Sequence, residues 1–186
     1  MIAKEPNTRN HEQASDHSFV TEWESKNGTY PFALRIGEWA YGLLNGFPLF
    51  DSLTQEKKLE SLRRIAFMNV KKMGGGGLAI SEDIYKVVCE HRKYILDEIA
   101  IIDPDIILLG LSFDDRLKRE LFGPRTWQLS GYTVKLLPFG KAWIIDFYHP
   151  SSRNVGAAAY SLLQNVVQSD AFKVLAKNPA TSEATP

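Results

Sequence analysis

Cysteine is nearly absent from this sequence, which has one, Cys89, among 186 residues. A single cysteine excludes an intrachain disulfide, a four-cysteine iron–sulfur cluster and a cysteine-rich zinc site. Because no disulfide can form within the chain, we expect a reducing, cytoplasmic setting. Cys89 itself is expected to be a small packing residue on a helix.

The sequence also lacks an excess of charge and lacks long apolar runs. Its 22 Lys and Arg balance 22 Asp and Glu, which excludes a generally cationic nucleic-acid coat but not a local basic patch. No apolar run approaches the ~20 residues of a membrane span, and residues 1–7 have no signal-peptide core. We expect a soluble monomer with one domain, residues 1–176, and a disordered polar tail, residues 177–186.

Periodicity predicts strands that alternate with helices after a polar stretch, residues 1–30, expected to be loop with one short helix. Ser81 is expected to cap the longest helix. The alternation predicts an α/β fold around a mostly parallel sheet. Helices are predicted over residues 32–44, 54–64, 81–102 and 155–167, and strands over 65–70, 105–110, 132–137 and 142–148.

Polar residues follow several of these strands, and ligands of such sheets bind beyond the carboxyl ends of the strands. His149 follows the last strand in a His-Pro-Ser sequence, Asn69 ends the strand over 65–70, and Glu5 precedes a proline near the N-terminus. A carboxamide offers both a donor and an acceptor, so Asn69 can bind a base edge. Taken singly, His149 and Glu5 are better interpreted as ordinary loop residues, and an asparagine that starts a turn, as Asn69 would, is common.

Two lysines and a glycine run follow Asn69. Lys71, Lys72, Gly74 and Gly75 could bring cations and backbone N–H groups to phosphates. The alternative, a flexible loop with solvated lysines, is as well supported by the residues alone. The run matches neither a Walker A loop nor a dinucleotide fingerprint.

Three stretches, taken in order, resemble the motifs of the uracil-DNA glycosylase superfamily. They are Ala-Lys-Glu-Pro-Asn at 3–7, Phe-Met-Asn-Val-Lys-Lys at 67–72 and His-Pro-Ser at 149–151, and the similarity spans about residues 1–170. The resemblance implies a three-layer α/β/α fold with a mostly parallel four-stranded sheet. It also implies DNA as the partner, single- or double-stranded, and catalysis without metal or cofactor.

The resemblance further implies catalytic roles for two residues. Glu5 takes the position of the acid that activates water and faces the cationic sugar as the N-glycosidic bond breaks. His149 takes the position that hydrogen-bonds the base O2 as negative charge develops there. The implied reaction is hydrolysis of a flipped-out damaged or modified pyrimidine, in repair or in defence against modified foreign DNA.

Other positions are assigned to binding by the same resemblance. Asn69 takes the position that binds the polar edge of the base, and Phe19 lies near the position of a stacking aromatic. The loop Ser151, Ser152 and Arg153 takes the place of the segment that enters the minor groove.

The sequence departs from the family pattern at the first motif. Ala3 replaces a glycine, and only two residues precede the motif, so the strand that carries it is expected to be nearly absent. Asn7 stands where strict uracil enzymes have a tyrosine, which predicts room for a bulky 5-substituent. Two alternatives remain: an inert descendant that binds DNA or a partner protein, and an enzyme that acts on free nucleosides.

Overall fold

The computed structural model describes residues 1–4, 31–72, 80–111, 113–152 and 156–177. The predicted loop and short helix at 5–30 and the predicted tail at 178–186 lie outside these residues. Over the described residues the chain forms six α-helices. They are α1 (Pro31–Asn45), α2 (Gln55–Leu62), α3 (Ser81–Ile102), α4 (Asp115–Phe122), α5 (Gly156–Gln168) and α6 (Asp170–Lys177).

The described strands form one six-stranded mixed sheet in the order β2-β1-β3-β6-β5-β4. Four neighbouring strands, β2, β1, β3 and β6, run parallel, and β5 and β4 extend the sheet antiparallel. The expected four-stranded sheet is therefore not confirmed, since the sheet has six strands and β4 was not predicted. The strands are β1 (Ile2–Ala3), β2 (Met68–Asn69), β3 (Ile106–Leu109), β4 (Gln128–Leu129), β5 (Lys135–Phe139) and β6 (Ala142–Asp146).

Helices cover both faces of this sheet. Ile107 and Leu109 of β3 pack in one core with apolar residues of α3 and α4. Leu108, between them, packs in a second core with Trp39 of α1 and residues of α5. Successive residues of a strand point to opposite faces, so a continuous apolar strand is buried on both sides. The predicted α/β class is confirmed.

Several boundaries differ from the sequence prediction. The predicted turn at residues 138–140 lies partly inside β5, where Pro138 pairs with Trp143. Proline has no backbone N–H to donate and is therefore tolerated in a strand where no neighbour needs that hydrogen bond. β4 pairs with β5 only at Lys135 and Leu136, so no described strand lies beside Pro138 on that side of β5. The chain turns instead at Gly140, whose φ is +59°.

The first turns of two helices show how local sequence sets their starts. Asp114 caps α4, since its carboxylate accepts the backbone N–H groups of Arg116 and Leu117. Ser81 was expected to cap α3, but Ile80 occupies that position and makes no side-chain hydrogen bond. Acidic residues in the first turn of α3 still favour its start through the helix dipole.

Two expectations about individual residues are corrected. Cys89 is exposed on α3, so it is not a packing residue. The first strand, expected to be nearly absent, is short but central: β1 pairs with β2 on one side and β3 on the other, and both of its residues are buried. None of the described helices combines the length and apolar character that a bilayer crossing needs.

Candidate functional site

The carboxyl ends of the four parallel strands form a row that joins the sequence motifs. Asn69 of β2 is in register with Ala3 of β1. The next strand contributes Gly110, whose N–H donates to the Ile2 carbonyl at 2.8 Å, and β6 continues into Phe147, whose N–H donates to the Leu109 carbonyl at 3.1 Å. All three motif regions therefore meet at one edge of the sheet.

The His149 loop lies close to this row. A Cβ placed on Gly110, which follows β3, would lie at an ordinary contact distance of 3.6 Å from the His149 Cα. Asn69 lies two strands away, which corresponds to roughly 10 Å at ordinary strand spacing. Side chains from β2 and from the His149 loop can therefore converge on one small ring above β1.

The loop after β6 holds the imidazole in one orientation. The Ser151 N–H donates to His149 Nδ1 at 3.2 Å, and the Ser152 hydroxyl donates to the His149 carbonyl at 2.6 Å. Because Nδ1 accepts a hydrogen bond, neutral His149 carries its proton on Nε2. The ring is therefore arranged to donate a hydrogen bond from Nε2.

The surroundings of His149 disfavour its charged form. Burial, and then the nearby positive charge of Lys4, lower the pKa of His149 below its usual value of 6.5. The imidazole is therefore neutral at neutral pH. Lys4, the last described residue of the first motif, is thus close enough to His149 for its charge to act on the imidazole.

Two aromatic rings line this part of the edge. Phe32 lies in the first turn of α1. Its ring centroid is 5.6 Å from that of His149, and the two ring planes are tilted by 51°. Phe32 also makes an edge-to-face contact with Phe67, just before β2, at 5.6 Å. Sequence reasoning did not assign Phe32 to the site, because only the fold brings α1 next to the last loop.

The other predicted residues of the edge are placed as follows. Asn69 is only 4% exposed, so it is a buried carboxamide and not an exposed turn residue. The Lys71 N–H donates to the Lys4 carbonyl at 2.9 Å, which extends the β1–β2 pairing. Lys72 Nζ lies 2.6 Å from a Glu98 carboxylate oxygen, so Lys72 must exchange this partner to contact a phosphate.

A further aromatic pair at this edge was missed by sequence reasoning. Phe113 follows β3 with a φ of +59°, an uncommon conformation for a non-glycine residue. It is 44% exposed, and its ring makes an edge-to-face contact with Tyr148 at 5.3 Å. A strained, exposed phenyl group beside the His149 loop is a candidate contact for an unstacked base.

A buried ion pair closes the carboxyl end of β6. Lys118 of α4 pairs with Asp146, and both side chains are 1% exposed. Lys118 also lies 2.7 Å from the exposed carboxylate of Asp115, which in turn contacts Lys135 at 3.2 Å. Burial raises the pKa of Asp146, and the Lys118 ammonium opposes this shift. Asp146 is therefore held by α4.

Half of the predicted site residues lie outside the described part of the chain. The structure brings together Asn69, Lys71, His149, Ser151 and Ser152, with Lys72 at the side. Outside the described residues fall the predicted Glu5, Asn7, Phe19, Gly74, Gly75 and Arg153.

Comparisons of the chain with protein-family models, curated proteins and solved structures return no match. The functional interpretation therefore depends on the motifs and on the geometry of the carboxyl edge.

Proposed function

We propose that this protein is a monofunctional DNA glycosylase that hydrolyses the N-glycosidic bond of a flipped-out pyrimidine and leaves an abasic site. The observation that carries the proposal is the neutral, oriented imidazole of His149 at the same edge as buried Asn69 and Ala3, the first residue of the first motif. An enzyme that acts on a base in a duplex must extrude it, which costs a few kcal/mol. Polar groups at the carboxyl edge suit the contacts that such a base makes.

The His149 geometry supports a role in stabilising the leaving base. As the bond breaks, negative charge develops on the base oxygen, and a preorganised N–H donor stabilises it. Loss of one such donor typically costs about 3–4 kcal/mol of transition-state stabilisation. The hydrogen bond from Ser151 to Nδ1 leaves the Nε2–H as the donor for this purpose.

Asn69 supports recognition of the base. Its carboxamide donates and accepts at once, which matches a pyrimidine edge that carries a carbonyl beside an N–H. Its burial favours discrimination, since a buried polar group left unpaired by the wrong base carries a penalty. Phe32 and Phe67 supply an apolar wall near the same ring.

Glu5 completes the proposed chemistry. It follows Lys4, whose carbonyl accepts a hydrogen bond from the Lys71 N–H. The charge of Lys4 also lowers the pKa of His149. The resemblance to the glycosylase motifs assigns to Glu5 the carboxylate that stabilises the cationic sugar and activates the attacking water. The bond to the base breaks, water supplies a hydroxyl to C1′, and the base leaves with a proton.

The test uses duplex and single-stranded oligonucleotides that carry uracil, 5-hydroxymethylcytosine, glucosylated cytosine or mismatched thymine. We expect alkali-labile abasic product from at least one of them. The predicted room at Asn7 favours the 5-substituted bases. If none yields abasic product although the protein binds the DNA, the enzymatic proposal is wrong and the inert-descendant alternative stands.

A second arm separates DNA glycosylase from nucleoside hydrolase. Free deoxynucleosides with the same bases are incubated with the protein, and base release is followed by chromatography. Release from the oligonucleotide but not from the nucleoside supports the proposal. The reverse pattern would assign the edge to a small-molecule enzyme.

A further inference from the structure

Phe113 is an exposed aromatic residue at the carboxyl edge of the sheet that the proposed reaction does not use. It lies in the turn between β3 and α4 and is 44% exposed. A single exposed apolar residue is ordinary on a protein surface. Two observations set Phe113 apart from such residues: its backbone conformation and the way in which its ring is supported.

The turn holds Phe113 in a backbone conformation that favours glycine. The Asp114 N–H donates to the Leu111 carbonyl at 3.3 Å, so Phe113 is the third residue of a four-residue turn. Its φ is +59°, and a third turn residue with positive φ is usually glycine because a Cβ is strained there. Leu111 is fully buried and Asp114 caps α4, so both ends of the turn are fixed. Strain that presents a phenyl ring to solvent points to a function.

The Phe113 ring is the outer end of a row of four aromatic rings. Trp39 contacts Phe147 edge-to-face at 5.0 Å, and both residues are buried. Phe147 contacts Tyr148 at 5.3 Å, and Tyr148 contacts Phe113 edge-to-face at 5.3 Å. The row connects the exposed ring to the core. A ring that is held in place before binding loses little conformational entropy when it binds.

The position of the ring fits a base beside the extruded pyrimidine. Tyr148, which contacts Phe113, directly precedes His149, and the His149 ring itself contacts Phe32. The Phe113 ring therefore lies next to the residues proposed to hold the extruded base. Extrusion removes a base from the stack, so each neighbouring base loses a stacking partner on one face. An aromatic side chain can replace that partner, because every base has a π-face.

The charges beside Phe113 favour contact with a base over contact with a phosphate. The Asp114 carboxylate accepts two backbone N–H groups at the start of α4. The Asp115 carboxylate lies 2.7 Å from Lys118 Nζ and 3.2 Å from Lys135 Nζ. Both carboxylates are therefore compensated, and the lysines that contact Asp115 are engaged with it. The ring is the group that this turn offers to DNA.

We propose that Phe113 stacks on the base next to the extruded pyrimidine. The inference rests on the proposed function, because it requires a DNA substrate at the carboxyl edge. Stacking does not distinguish the hydrogen-bonding groups of a base, so this contact accepts any neighbouring base.

The first test measures binding of two short single-stranded probes by fluorescence anisotropy. One is a thymidine oligonucleotide, and the other has the same length and phosphates but tetrahydrofuran spacers without bases. Phe113→Ala should weaken binding of the thymidine probe at least about fivefold, as expected for one lost base–aromatic stack. Binding of the base-free probe should stay unchanged, which also shows that the variant is folded.

Matched variants separate stacking from other effects. Phe113→Leu keeps an apolar side chain but lacks a π-face and should behave like Phe113→Ala, whereas Phe113→Trp should keep the affinity for the thymidine probe. Tyr94→Ala removes a 70% exposed aromatic residue on α3 and should change neither affinity. Unchanged thymidine binding in Phe113→Ala, full affinity in Phe113→Leu, or equal losses with both probes would overturn the proposal.

The second test locates the stacked base. On the best glycosylase substrate, a tetrahydrofuran spacer replaces the base on the 5′ or the 3′ side of the target. One of the two spacers should raise the protein concentration for half-maximal single-turnover release at least about fivefold in the unmodified chain and have no effect in Phe113→Ala. An equal effect of the spacers in both proteins would overturn the proposal.

The two proposals fail in different ways. Base release that does not depend on Phe113 or on the neighbouring bases would contradict the stacking contact and leave the glycosylase proposal intact. Thymidine binding that depends on Phe113, without release of any base, would support the stacking contact and contradict the glycosylase proposal.

Discussion

At the scale of single residues, the account centres on the protonation of His149. Burial and the positive charge of Lys4 make the imidazole of His149 harder to protonate. The pKa of His149 is therefore a measure of how the ring is placed at this edge of the sheet. The hydrogen bond from Ser151 adds to this effect, since Nδ1 must stay unprotonated to accept it.

We predict that His149 titrates below pH 6.5 and that Lys4→Gln moves its midpoint upward, because a positive neighbour is removed. The measurement is a histidine NMR titration, with the signal assigned by His149→Asn. Lys93→Gln, which removes a cation paired with Asp97 on exposed α3, is the matched control and should leave the midpoint unchanged. A midpoint at 6.5 or above in the unmodified chain would contradict the placement of the ring.

The same shift has a consequence for stability. Between pH 6.5 and the lowered folded pKa the unfolded chain binds more protons, so the contribution of His149 is complete above pH 6.5 and is lost as the pH falls. Urea unfolding at pH 7.5 and 5.5 should therefore show a larger loss of stability for the unmodified chain than for His149→Asn. An equal loss in both proteins would argue that the imidazole is not desolvated.

Asn69 carries a separate prediction. Replacing it with Ala removes hydrogen bonds to a base that becomes charged, each worth about 1.5–3 kcal/mol, so kcat/KM should fall roughly 10- to 100-fold per bond. Single-turnover base release measures this effect, with urea unfolding as the check on folding, because Asn69 is buried. Unchanged kcat/KM would remove Asn69 from the site.

At the scale of elements, the end of β6 is tied to α4 by the Lys118–Asp146 pair. Removing one partner of a buried pair leaves an uncompensated charge, which costs about 3–5 kcal/mol. The Asp146 Oδ1 atom has no hydrogen-bond partner among the described residues. Without Lys118, the buried carboxylate would therefore lose its main stabilising contact. Lys118 also lies 5.1 Å from the centre of the Trp127 ring.

Lys118→Met should therefore lower the free energy of unfolding by about 3–5 kcal/mol, whereas Lys118→Met combined with Asp146→Leu should recover most of the loss. Urea unfolding at pH 7 measures both. Lys141→Met breaks an exposed pair with Asp103, which solvent screens, and should cost far less stability than Lys118→Met. A similar small cost for Lys118→Met would mean that the buried pair does not stabilise the edge.

The elements also show what sequence reasoning can and cannot predict. The apolar run at Ile106–Leu109 and the periodicity of α3 predict buried elements because hydrophobic burial dominates them. Pro138 was assigned to a turn, although it lies in β5. A strand accepts a proline only where no neighbouring strand needs its N–H, and the pairing of the described strands decides this, not the local sequence. The short helix α4 was missed because only eight mostly charged residues form it, although Asp114 is a clear capping signal.

The site residues also divide into those that the sequence predicts and those that depend on tertiary structure. The motifs at Asn69 and His149 predict positions at strand ends, since ligand crevices of parallel sheets lie there. Sequence gave no signal for Phe32 or for the Ser151 hydrogen bond to Nδ1, because both depend on tertiary placement.

At the scale of the whole molecule, the chain has no net charge. It must therefore bind the DNA phosphates through a few local cations. Lys71, Lys72 and Arg153 are the proposed contacts, which predicts a log–log salt slope of about −3 for duplex binding.

Lys72→Gln should make that slope less steep by about 1, as expected when one phosphate contact is lost. Fluorescence anisotropy at several salt concentrations measures the slope, and Lys93→Gln serves again as the exposed control that should leave it unchanged. A slope unaffected by Lys72→Gln would mean that Lys72 stays paired with Glu98 in the complex.

The most direct test of the central claim compares catalysis with binding in two single-residue variants. Single-turnover base release and DNA affinity are measured for the unmodified chain, His149→Ala and Glu5→Gln on the best oligonucleotide substrate. The account predicts that His149→Ala slows release by about 10²–10³-fold, as expected for the loss of one oxyanion donor, while DNA affinity changes little. Equal losses of release and affinity, or release at an unchanged rate, would contradict the claim that this imidazole stabilises the departing base.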